Sequence, residues 1–117
     1  MCSVFNEINM AGTSNGLRYL RLFKQQGEKC YYCEIPLWDG TNVLNCNIDH
    51  KTAVSRGGSD KFENNCLACI SCNSLKGNLN EDEFRVVLKL HKEGKITGKD
   101  FPDYTKYLML KKKFENV

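Results

Sequence analysis

The chain has 117 residues, a net charge of +3 and seven cysteines. That length allows one small domain, with a core modest enough that a structural metal would help it fold. The mild charge does not by itself argue for a nucleic-acid partner, and no run approaches the ~18 apolar residues of a membrane span. The first residues show neither the basic start nor the apolar stretch of a signal peptide. An odd cysteine count fits metal binding better than full disulfide pairing. The expectation is an intracellular protein with reduced thiols.

In chain order, residues 1–13 show no hydrophobic period and read as loose. Leu17, Leu20 and Phe23 recur every three residues and Gly27 follows, which predicts a short amphipathic helix with Ser14 or Asn15 as cap. Cys30-Tyr31-Tyr32-Cys33 comes next as a Cys-x-x-Cys knuckle. Leu37-Trp38 and Asn42 to Ile48 read as extended around a turn at Asp39-Gly40, and the second stretch delivers Asp49-His50 at its end. Lys51 to Asp60 is a loop with backbone freedom at Gly57-Gly58. Asn64 to Ala68 reads as another short strand. Cys69 and Cys72 open a helix that carries Asn73 and Lys76 and stops at Gly77. Asn80 caps a clearer helix, 81–92, with acids in its first turn and Phe84, Val87, Leu88 and His91 on one face. Pro102 or Asp103 begins a last helix to Phe114, with Tyr104, Tyr107, Leu108 and Met109 inward. The order is helix, knuckle, β-hairpin, knuckle-helix, helix, helix, an α+β chain forming a single domain over 1–117.

The cysteines carry the strongest chemical signal. Each Cys-x-x-Cys places two thiolates so that both reach one ion, and two such pairs supply a closed tetrahedral Zn²⁺ site. Cys66, Cys69 and Cys72 make two overlapping pairs, so spacing alone does not choose the second knuckle. The strand reading favours Cys69/Cys72, because Cys66 then packs inside the strand as a small apolar residue. His50, one of two histidines, sits beside Asp49 at a strand end, before a flexible loop. An imidazole can take a proton near neutral pH, and an adjacent carboxylate suits a hard cation. Spacing does not decide between a structural and a catalytic histidine here. His91 has no such neighbours and reads as structural. Asn73 directly follows a zinc cysteine at a helix start, so the metal fixes its place.

The stretch Ile48-Asp49-His50 through Gly57-Gly58-Ser59-Asp60 to Asn64, followed by Cys69-Ile70-Ser71-Cys72-Asn73-Ser74-Leu75-Lys76-Gly77, resembles the HNH endonuclease family in its branch with four zinc cysteines. Cys30 and Cys33 fit that branch's first knuckle, and the resemblance spans residues 28–78. It implies a zinc-stapled ββα-metal core with flanking helices, held by structural Zn²⁺ on Cys30, Cys33, Cys69 and Cys72. It implies His50 as general base, Asn64 as the residue bonding the loop that orients His50, and Asp49 with Asn73 holding a catalytic Mg²⁺ or Mn²⁺. Ala53 stands where the family often has proline, and Asn73 where the family's name has histidine. The implied activity is hydrolysis of DNA phosphodiesters, double-stranded DNA being the expected partner. The alternative is a zinc-stabilised nucleic-acid-binding module without catalysis. Lys51, Arg56 and Lys76 within the motif, and Lys111, Lys112 and Lys113 near the end, are candidate phosphate contacts. No appended recognition domain is visible in these residues, so the expectation is that high sequence specificity would call for a protein partner or a dimer.

Overall fold

The computed structural model describes residues 14–97, 99 and 101–114; the expectation of a loose segment over 1–13 lies outside them. Helix α1 (Ser14–Gln25) buries Leu22 and Phe23, while Leu17 is half exposed. A strict three-residue repeat drifts by about 60° per step on a helix of 3.6 residues per turn. Leu17 therefore rotates away from the face that Phe23 occupies. Gly27 and Glu28 both adopt positive φ and turn the chain into the first knuckle.

The paired strands are β1 (Cys46–His50) and β2 (Asn65–Cys69), antiparallel, with Asp49 opposite Cys66 and His50 opposite Asn65. The extended stretch expected from Asn42 to Ile48 is shorter than its sequence suggests. Residues 37–44 contribute an isolated bridge, Trp38 to Val43, around a turn whose amides at Thr41 and Asn42 bond the Asp39 carboxylate. The long pairing goes instead to β2, which is buried along its whole length.

Helix α2 (Ile70–Lys76) starts directly at Cys69, whose Sγ accepts the Cys72 amide. Helix α3 (Glu81–Lys92) opens with a capping box, Asn80 and Glu83 bonding each other's backbone amides. Its inward residues are Phe84, Val87 and Leu90. His91, expected on that face, is exposed; its ring meets the edge of Phe101 and its Nδ1 lies 3.3 Å from the Ile96 carbonyl oxygen. Helix α4 (Tyr104–Phe114) buries Tyr107 but leaves Leu108 and Met109 exposed, against the expectation that both pack inward. The core is one cluster with Phe23, Leu37, Leu67, Leu79, Phe84 and Val87 at its centre. Among the described residues no helix is long and apolar enough to cross a membrane.

Candidate active site

The two knuckles converge. The sulfurs of Cys30, Cys33, Cys69 and Cys72 all lie within 4.8 Å of one another, with Cys33 and Cys69 3.8 Å apart. A tetrahedral ion about 2.3 Å from each thiolate requires sulfurs roughly 3.8 Å apart, so the set fits a closed zinc site. The backbone prepares it, since the Cys69 amide donates to Cys30 Sγ and the Cys72 amide to Cys69 Sγ. The Cys72 thiol donates to Cys30, which lowers Cys30 to about 4 and raises Cys72. Four thiolates at this separation need a cation between them. Cys66 stands outside the cluster. It is buried against Tyr32 and Asp49, and burial pushes its thiol up to about 12.

Consecutive strand residues point to opposite faces, and this separates Asp49 from His50. Asp49 turns inward. Its Oδ2 accepts the Tyr32 hydroxyl at 2.6 Å and pairs with Lys76 Nζ at 3.2 Å. Lys76 is itself almost wholly buried and also donates to the His50 carbonyl. One expectation changes as a result: Lys76 is an internal counter-ion, not a phosphate contact. Asp49 is paired with that counter-ion, and His50 borders both the cleft that Asp49 lines and the groove that Asn73 lines.

His50 is half-buried on an open groove of about 640 Å³ whose lining includes Asn73, Arg18 and Asp60. Its Nε2 lies 2.8 Å from Asp60 Oδ1, and the same oxygen accepts Arg18 Nη1 at 3.1 Å. Asp60 occurs within the motif but carried no role on sequence grounds. Arg18 gave no signal at all, because its contact spans 42 positions.

Asn64 clasps the connecting loop. Its Oδ1 accepts the Thr52 amide at 2.9 Å, while its Nδ2 donates to the carbonyls of Thr52 and Ser59 at 3.0 and 2.6 Å. The loop closes so tightly that a Cβ on Gly58 would sit 1.9 Å from the Thr52 carbonyl oxygen. Arg56 is also spoken for. It forms a bidentate pair with Glu83 and stacks 3.5 Å from the Tyr104 ring centroid. It braces the loop against α3 and α4. Lys51 is half-exposed, 4.9 Å from the Tyr31 ring, and Lys111, Lys112 and Lys113 are exposed in the last turn of α4.

With a two-strand sheet, a following helix and a four-sulfur cluster in place, the class is a small metal-stapled α+β domain with a histidine groove. Residues 30–79 match the family model described as HNH endonuclease. The matched segment holds all four cysteines of the cluster, which are positioned to bind a metal, consistent with the zinc-containing branch of that family. No curated protein and no solved structure matches the chain.

Proposed function

We propose that this protein is a DNA endonuclease in which His50 acts as general base and a structural Zn²⁺ on Cys30, Cys33, Cys69 and Cys72 holds the frame. The observation that supports it most is the placement of His50 on an open groove beside Asn73 and Arg18, at the end of a strand whose following loop is clasped by Asn64. In this reading neutral His50 takes a proton from water, and the hydroxide oxygen attacks the phosphorus of a bound phosphodiester. The P–O bond to the opposite ester oxygen breaks, and that oxygen takes a proton from solvent. Arg18 supplies positive charge beside the phosphate. Asn73 offers its amide as a hydrogen-bonding group on the same groove. Lys51, Lys111, Lys112 and Lys113 add sequence-independent backbone attraction. Double-stranded DNA is the proposed substrate, with a protein partner or a second copy supplying any sequence specificity.

A need for Mg²⁺ or Mn²⁺ comes from the family alone, since Asp49 is held by Lys76. That same pairing favours a second reading, a zinc-stabilised DNA-binding module without catalysis. Supercoiled-plasmid nicking by wild type and His50→Ala, at matched zinc content and with Mg²⁺, Mn²⁺ or EDTA, separates the two. The nuclease reading expects cleavage to drop by roughly 10²–10⁴ in His50→Ala, the usual range for a positioned general base. Equal rates would leave the binding module as the better reading.

A further inference from the structure

The groove contains a three-residue relay, His50–Asp60–Arg18, whose central carboxylate the nuclease reading leaves unused. Asp60 Oδ1 takes two donors at once, His50 Nε2 at 2.8 Å and Arg18 Nη1 at 3.1 Å. Arg18 Nη1 also bonds the Asp60 main-chain oxygen at 3.1 Å, so one guanidinium nitrogen fixes both ends of the residue. We propose that Asp60 is the positioning residue of His50, fixing the imidazole through Nε2 so that Nδ1 is the atom that accepts the proton from water. This rests on the reading of His50 as general base.

The chemistry of the acceptor sets the tautomer. An ionised carboxylate can only accept hydrogen bonds, so Nε2 must carry its proton and the lone pair falls on Nδ1. Asp60 is held ionised. The hydrogen bond from His50, and beyond it the charge of Arg18, keep its carboxyl below the usual carboxylate range. Once Nδ1 is protonated in the reaction, the same carboxylate faces an imidazolium and stabilises it. Arg18 on the same oxygen moderates that charge, which makes orientation the larger part of what Asp60 contributes.

The loop is built to deliver this carboxylate. Asp60's side chain is 71% exposed, so burial does not place it. Its backbone is placed instead by the residue before it, whose carbonyl accepts Asn64 Nδ2 at 2.6 Å. Gly58 lets the loop pass close over Thr52, where any side chain would collide. Asn64 thus reaches His50 in two steps, through Ser59 to Asp60 and from Asp60 to Nε2. The linkage explains how a residue that does not touch His50 can orient it.

The test uses the full chain loaded with zinc. Single-turnover and steady-state cleavage are measured for wild type, Asp60→Ala, Asp60→Asn, Asp60→Glu and His50→Ala, with zinc content and DNA affinity as controls of folding. Asp60→Ala should lower kcat by about 10–100-fold, the range for partners that orient a functional side chain, with KM unchanged. Asp60→Asn, which keeps an acceptor oxygen, and Asp60→Glu, which keeps the charge, should each recover part of the loss. The chain has two histidines, so ¹⁵N shifts of the neutral imidazoles, assigned with His91→Gln, report the tautomer of His50 directly. The Nε2–H form is expected in wild type. A kcat for Asp60→Ala that is unchanged or raised would overturn the proposal, the raised value marking Asp60 as a cap on the base. So would an Nδ1–H tautomer in wild type, a readout that holds even if Asp60→Ala fails to fold. If His50→Ala alone left cleavage intact, the general base itself would be misassigned and this inference would fall with it. Loss in His50→Ala without loss in Asp60→Ala removes the positioning role only.

Discussion

Lys76 holds its ammonium 3.2 Å from Asp49 Oδ2 while about 1% of its side chain meets solvent. The pair lies beneath the strand end that presents His50, and Lys76 also bonds the His50 carbonyl. Removing one member of a buried ion pair leaves the other charge uncompensated, which typically costs about 3–5 kcal/mol. Asp49→Ala and Lys76→Met should each destabilise the zinc-loaded protein on that scale in chemical denaturation. If Asp49→Ala kept wild-type stability but needed more Mg²⁺ or Mn²⁺ for cleavage, Asp49 would be a cation ligand after all.

The sulfur cluster predicts an unequal response among cysteines. Cys30→Ser or Cys72→Ser should lose zinc and unfold, because closed thiolate sites contribute on the order of 10 kcal/mol to folding of small zinc domains. Cys66→Ser should remain folded with full zinc, since Cys66 lies outside the cluster. Metal analysis on purified variants reads both, and a zinc-replete Cys72→Ser protein would contradict the assignment.

Two groups of basic residues should behave differently. Replacing Lys111, Lys112 and Lys113 together by Ala should weaken binding to all DNA sequences about equally and flatten the salt dependence. Arg56→Ala should leave DNA affinity nearly unchanged but cost stability of about 1–3 kcal/mol, the range for an orphaned partly buried partner, because it strands Glu83. Binding titrations at several salt concentrations, beside denaturation curves, distinguish these outcomes. A shifted cut site with unchanged affinity in the triple variant would make the lysines readers of sequence.

Alkaline pH should expose Cys66. Burial raises its thiol from 9.0 to about 12, so the folded state keeps a proton that the unfolded chain releases. The folded-state pKa lies above the unfolded one, so the stabilisation is complete below pH 9 and is lost as pH rises toward 12. The melting temperature should therefore fall through that window, and fall less steeply in Cys66→Ala. Parallel curves for the two proteins would remove Cys66 as the cause.

Much of the architecture follows from local sequence. Asn80 and Glu83 dictate the start of α3 because a capping box uses only side chains and amides a few positions apart. The knuckles are legible for a similar reason, since two residues between thiols set the reach to a shared ion. Choosing Cys69/Cys72 over Cys66/Cys69 needed only the strand reading of Asn64 to Ala68 and the motif register, and the converging sulfurs agree. Asn64's bonds to Thr52 and Ser59 span 12 and 5 positions and lie within one loop.

The long-range partners were decided only by tertiary packing. Nothing near Asp49 in sequence says that its carboxylate will meet Tyr32 and Lys76, 17 and 27 positions away. That outcome depends on which face of β1 is covered by the knuckle and by α2. Arg18 meets Asp60 only because α1 packs beside the sheet, and Arg56 is taken from the surface by Glu83 once α3 docks. Local rules specify which groups can act. Which charge each group faces is settled when separate elements bury one another, because the strength of a charge pair depends on the distance and burial that packing creates.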